Sequence, residues 1–179
     1  MKTIQIGDLF FKPYISEEEI NKRVKELGEI ILKEYDNQPP VFICVLNGSF
    51  VFGADLARAI NAPAEVYFIK LSSYDGLQST GIITEELPLK IDVEGKNLLI
   101  IEDIIETGNT LYHLQQKLLK ENCKSCKIVS LLVKNDILKD RVKVDYIGFE
   151  IENDFVVGYG MDYNNKGRNL KSIYTIVKT

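Results

Sequence analysis

The chain has 179 residues, 45% of them hydrophobic and 27% charged, which is enough for one domain with a substantial core. A net charge of −4 argues against a broad nucleic-acid-binding surface, although a local anion cradle need not register in the total. No run approaches the ~20 apolar residues of a membrane span. Residues 1–8 lack the apolar core of a secretion signal, and Cys44, Cys123 and Cys126 make no disulfide framework, so a cytoplasmic protein without membrane or nucleic-acid partners is expected.

Ser16-Glu17-Glu18-Glu19 reads as a capping box, and Ile20, Val24, Leu27, Ile30 and Ile31 recur at helical spacing. This first helix is expected to run to about Tyr35 and to stop before Pro39-Pro40. Residues 41–46 form a buried strand, and Asn47-Gly48-Ser49 turns into a helix reaching about Ile60. Residues 64–70 are the next strand. From Leu71 to Thr84 the apolar run is lost and Ser, Thr, Asp and Gly accumulate, which predicts a long mobile loop; loops of that length are usually functional.

The most informative stretch follows. The apolar run Leu98-Leu99-Ile100-Ile101 marks a buried strand and ends in Glu102-Asp103. Ile104-Ile105-Glu106-Thr107-Gly108-Asn109-Thr110 come next, and a helix is predicted over residues 111–121. In an open α/β sheet, ligands bind outside the carboxyl ends of the strands. The loop offers a phosphate backbone N–H groups at a helix N-terminus, Thr hydroxyls and a Gly without a Cβ. The two carboxylates upstream would repel that phosphate, and so suit a sugar diol or a divalent cation. Phosphate cradle and acid pair together point to a phosphorylated ribose. Further strands are expected at 127–133 and near 146–149, with shorter ones at 155–159 and 172–177. Alternating strands and helices predict an α/β fold, a mainly parallel twisted sheet with helices on both faces.

The stretch around Glu102-Asp103 resembles the 5-phosphoribosyl-1-diphosphate (PRPP) motif of type I phosphoribosyltransferases, in particular the hypoxanthine-guanine enzymes. Residues 45–49, 71–81, 130–134 and 148–168 match that family in the same order, so the resemblance covers most of the chain from about residue 40. It implies a single phosphoribosyltransferase domain over residues 1–179, with a small hood built from the N-terminal segment and about 150–179. The implied activity is transfer of a phosphoribosyl group from PRPP to hypoxanthine or guanine, with Mg²⁺ as cofactor and assembly as a homodimer or homotetramer.

The resemblance also implies roles. Asn47-Gly48 is similar to the pyrophosphate loop, whose peptide bond is typically cis; many relatives carry Lys at the position of Asn47. Glu102 and Asp103 fall to ribose and metal, residues 104–110 to the phosphate, and Arg168 to diphosphate. Lys134 would donate to the purine O6, Phe155 stack on the base and the Val156 backbone read its edge. Asp162 would lie near the purine 2-position and a second metal. Ser73-Tyr74 would lead a closing loop. Glu106 stands where the family usually has an aspartate that exchanges a proton with purine N7, and is the candidate catalytic base.

Competing readings are weaker. Two solvated acids at a strand end are common, but not with this loop and helix behind them. A receiver domain places its acidic pair near its start, whereas here half the chain precedes the pair. There is no G-x-x-x-x-G-K-[ST], and Gly158-Tyr159-Gly160 lacks the third glycine of a dinucleotide fingerprint. Cys123-Lys124-Ser125-Cys126 has no partners to close a zinc site, and it follows a helix C-terminus, where the dipole disfavours a thiolate. A non-catalytic nucleotide-sensing regulator and a xanthine-preferring enzyme on the same fold remain as alternatives.

Overall fold

In the computed structural model, which describes residues 2–73, 83–134, 138 and 142–177, two sheets share the chain. The larger is built from β3 (Val41–Leu46), β4 (Val66–Ser73), β5 (Ile83–Leu87), β6 (Asn97–Ile105), β7 (Ser125–Lys134) and β8 (Tyr146–Ile151). Their order is β5-β4-β3-β6-β7-β8. All neighbours are parallel except β5, which returns antiparallel along β4. β6 lies in the interior of this sheet, and Leu98, Leu99, Ile100 and Ile101 are fully buried. Both of its faces are covered, which is why the sequence there is continuously apolar rather than alternating.

Among the described residues three helices cover those faces. α1 (Glu17–Glu34) and α2 (Phe50–Ile60) pack on the face that carries Phe42, Cys44, Leu99, Ile101 and Val129. α3 (Asn109–Lys120) packs with Leu111, Leu114 and Leu118 on the face that carries Ile43, Val45, Leu98, Ile100 and Ile128. The capping box is formed: Glu19 N–H donates to Ser16 Oγ at 3.2 Å, and Ser16 N–H donates to Glu19 Oε2 at 2.8 Å. α1 and α2 cross closely at Gly28, where a Cβ would stand 3.1 Å from that of Ala59. Among the described residues no helix is long and apolar enough to cross a membrane.

The second sheet is the hood. β1 (Ile4–Ile6), β2 (Leu9–Ile15), β9 (Val156–Val157) and β10 (Ile173–Ile176) form an antiparallel sheet in the order β1-β2-β10-β9. It joins the two ends of the chain, as the family resemblance implies. The Glu17 N–H at the start of α1 donates to Ser172 Oγ at 3.1 Å, fastening the hood to the larger sheet's first helix.

Several boundaries move. The strand expected over 64–70 continues through Ser73, and Thr84 belongs to β5, because these ends pair with each other across the sheet edge. Residues 74–82, with Tyr74 and the rest of the expected closing loop, lie outside the described residues; of Ser73 only the backbone is placed. β6 runs on through Glu102 to Ile105, so the acid pair lies within the strand rather than after it. β9 is shorter than the strand expected over 155–159, since Gly158, Tyr159 and Gly160 have φ of 102°, 49° and 105° and turn the chain back.

Candidate active site

The parallel strands aim their carboxyl ends at the hood, and a cavity of about 310 Å³ lies between them. Gly48, Asp103, Ile104, Glu106 and Lys134 line it from the larger sheet. Phe155, Val156, Met161, Asp162 and Arg168 line it from the hood side. Residues far apart in sequence thus meet in one space.

The floor is set by close packing at Gly48. A Cβ there would stand 1.9 Å from Asp103 Oδ2, so no other residue fits unless the carboxylate moves. The cis peptide bond of this loop is Leu46–Asn47, one bond earlier than Asn47–Gly48. Ser49 Oγ–H donates to the Val45 carbonyl at 2.6 Å, tying the turn to its own strand before α2 begins.

Glu102, half-buried, and Asp103, buried, form an acid pair within β6. Burial pushes the Glu102 carboxyl well above the usual carboxylate range, and the neighbouring Asp103 charge pushes it further. Burial likewise raises Asp103, opposed by hydrogen bonding to Glu102 and by the Arg168 charge. The Asp103 N–H donates to Glu102 Oε1 at 3.3 Å. Two hard oxygen donors crowded out of water are what a divalent cation or a hydrogen-bond-donating diol relieves. Among the described residues no group of three or more His, Cys, Asp and Glu gathers into a metal cage. A cation held here therefore takes its other ligands from water and substrate oxygens, the habit of Mg²⁺.

Gly108, at φ 73°, is the N-cap of α3 and has no side chain with which to cap it. The N–H groups of the first turn are thus left for an anion. A Cβ at Gly108 would also come within 3.1 Å of Val142. Ile105 is 2% exposed and packs beneath α3, so its side chain serves the core. Asn47, Glu102 and residues 107–110 flank the cavity in sequence without lining it.

At the far wall Lys134 ends β7. Its side chain is 6% exposed, and its Nζ forms an ion pair with Glu106, which is 54% exposed. Phe155 keeps 43% of its surface exposed, with its ring 6.0 Å from Tyr163 in an edge contact and 6.2 Å from Phe11. Val156 is buried in β9.

Arg168 is held from two sides. Its Nη1 donates to the Gly160 carbonyl at 2.7 Å, and its Nη2 lies 2.5 Å from Asp162 Oδ1. Asp162 Oδ2 accepts from the Asn165 N–H at 2.7 Å. Both Asp162 oxygens are thus engaged, and the carboxylate orients the arginine. Met161 and Gly160 belong to the site and were missed from sequence. The G-Y-G spacing was their signal, legible as a turn once the dinucleotide reading had failed.

A parallel sheet that presents an acid pair, an uncapped helix start and a roofed cavity at its strand ends is the architecture of a nucleotide-chemistry enzyme. The chain belongs to the phosphoribosyl transferase domain family, whose model matches residues 15–164. It is 45% identical over 163 residues to the hypoxanthine-guanine phosphoribosyltransferase of Bacillus subtilis, covering 90% of this chain and 91% of that one. It is 40% identical over 169 residues to the hypoxanthine-guanine-xanthine phosphoribosyltransferase of Tritrichomonas foetus, covering 89% and 92%. Among solved structures, a hypoxanthine-guanine phosphoribosyltransferase from Bacillus anthracis, with a HEPES molecule in its active site, superposes with a TM-score of 0.87. That match has 38% identity and covers 93% of this chain and 98% of the other.

Proposed function

We propose that this protein transfers the 5-phosphoribosyl group of PRPP to a 6-oxopurine, hypoxanthine or guanine, releasing pyrophosphate and giving IMP or GMP. The observation that carries this is the side-by-side placement of Lys134 and Glu106 in a cavity that also holds Asp103 and Arg168. A buried ammonium beside a carboxylate presents a donor and an acceptor together. The O6 and N7–H edge of a 6-oxopurine presents the complementary pair. Adenine's 6-amino group would face the lysine donor to donor and leave both unpaired.

The roles follow from position. The uncapped start of α3, with Thr107, Gly108, Asn109 and Thr110, takes the 5′-phosphate. Glu102 and Asp103 take the ribose hydroxyls and Mg²⁺, which when bound neutralises charge on the diphosphate leaving group. The loop at Asn47-Gly48 and Arg168 receive the diphosphate, the arginine being aimed by Asp162. Phe155 stacks on the base from the hood, and the Val156 backbone reads its edge.

In the transfer, N9 of the purine forms a bond to C1′ as the C1′–oxygen bond to diphosphate breaks. The N7 proton passes to Glu106, which makes that residue the general base. Lys134 leaves its free-state partner and donates to O6. The sugar gains cationic character between these events, and the buried carboxylates beside it stabilise that charge. Water must be excluded meanwhile, the task assigned to a closing loop led by Ser73-Tyr74.

Release of pyrophosphate from PRPP with a panel of hypoxanthine, guanine, xanthine, adenine and uracil in Mg²⁺ tests this reading. Turnover with hypoxanthine or guanine is expected. Turnover with xanthine alone transfers the assignment to a xanthine enzyme, and PRPP binding without turnover supports a nucleotide-sensing regulator. Assembly as a homodimer or homotetramer is proposed with the function and is read by sedimentation.

A further inference from the structure

The acid pair, the diphosphate loop and the hood meet through a stack of close backbone contacts. Gly48 lies against Asp103, and Gly160 lies against Gly48: a Cβ on Gly160 would stand 2.0 Å from the Gly48 carbonyl oxygen. The Gly160 carbonyl in turn receives Arg168. The relative position of loop and hood therefore sets both the floor of the diphosphate region and the aim of its arginine.

The hood turn is anchored by backbone bonds to the connection that leads into β10. Tyr159 N–H donates to Leu170 O at 2.8 Å, and Gly160 N–H donates to Arg168 O at 2.9 Å. Toward the larger sheet it is anchored by a side chain: Tyr159 Oη–H donates to Asp55 Oδ2 at 2.7 Å. Asp55 stands on α2, the helix that begins directly after the diphosphate loop. The Tyr159 ring is 4% exposed and packs in the core shared by α1 and α2. Neither Tyr159 nor Asp55 lines the cavity.

We infer that Tyr159 and Asp55 are positioning residues for PRPP, a clamp that holds Gly160 against Gly48 and so fixes the diphosphate subsite from outside it. This rests on the phosphoribosyl-transfer reading. A bond between two rigid elements that flank one substrate group acts on that group's alignment. The base is assigned to Lys134 at the end of β7 and to Phe155 just before β9, neither of which takes part in the Tyr159–Asp55 bond.

Steady-state kinetics on four variants test the clamp. Y159F removes the hydroxyl and keeps the buried ring, D55A removes the acceptor, D55N keeps an acceptor oxygen, and Y159F/D55A removes both. Y159F and D55A are each expected to raise the KM for PRPP about fivefold, the effect of one lost hydrogen bond. Their kcat and their KM for hypoxanthine should move less than about twofold. The double variant should be no worse than either single one, and D55N should stay near the parent. A parental KM for PRPP in Y159F overturns the clamp. So does an equal rise in both KM values with a fallen melting temperature, the mark of general loosening. An inactive parent overturns the function itself and the clamp with it, whereas an active parent with unaltered variants overturns the clamp alone.

Discussion

Glu106→Gln is the perturbation that separates binding from proton transfer at this site, because the two should respond in opposite directions. In the free protein Glu106 pairs with Lys134, and a 6-oxopurine must part them to enter. With Glu106 more than half exposed, water screens the pair, and its worth is closer to that of a surface ion pair than of a buried one, about 1 kcal/mol. Glutamine keeps an oxygen that accepts from Lys134 but carries no charge, so most of that cost disappears. About 1 kcal/mol corresponds to about a fivefold fall in the KM for hypoxanthine. Glutamine cannot take the N7 proton, and general base catalysis contributes ~10²–10⁴, so kcat should fall by that factor. The KM for PRPP should be little changed, as Glu106 does not serve the diphosphate. Glu106→Asp restores the base, and its shorter chain reaches Lys134 less well, so it should keep or improve turnover. The assay is initial-rate pyrophosphate release with each substrate varied in turn. Parental kcat in Glu106→Gln would refute the reasoning: Glu106 would then merely neutralise Lys134, and the proton would leave by another route.

Lys134→Ala should damage use of hypoxanthine far more than PRPP binding, and the parent should discriminate strongly against purine lacking the 6-oxygen; equal affinity for the two bases would remove the lysine from base recognition. Gly48→Ala should raise the KM for PRPP by at least tenfold, since a Cβ 1.9 Å from Asp103 forces the carboxylate or the loop to move, and the overpacking should cost about 1–3 kcal/mol of stability in a denaturant melt. Excess chelator should abolish turnover and added magnesium restore it; full activity in chelator would leave the acid pair to the ribose alone.

How much of this was legible in one dimension depends on how local the determining physics is. The first helix was readable because its cap and its apolar stripe lie within a few residues of each other, and the capping box forms with the expected partners. The buried strands were readable because an interior parallel strand has no polar face, as in Leu98-Leu99-Ile100-Ile101. The acid pair and the uncapped glycine start of α3 were readable because strand, loop and helix follow one another directly. The hood was not visible in periodicity. Its strands are short, β2 contains Pro13, and β10 pairs with β2 across nearly the whole length of the chain, so only the family resemblance anticipated it.

The family resemblance nominated Lys134, Glu106, Asp162 and Arg168, yet their partners depended on distance in space. The tertiary structure put Lys134 on Glu106, and it set Asp162 against Arg168 and the Asn165 N–H. It buried the Ile105 side chain in the core, set Gly160 against Gly48 and joined Tyr159 to Asp55. Sequence by itself determined the local elements and the chemistry available, since capping, periodicity and side-chain type act over a few residues. Which carboxylate meets which cation was decided by how strand ends and turns come together in space, and which glycine must stay a glycine by contacts between segments more than fifty residues apart, as at Gly48 against Asp103 and Gly160.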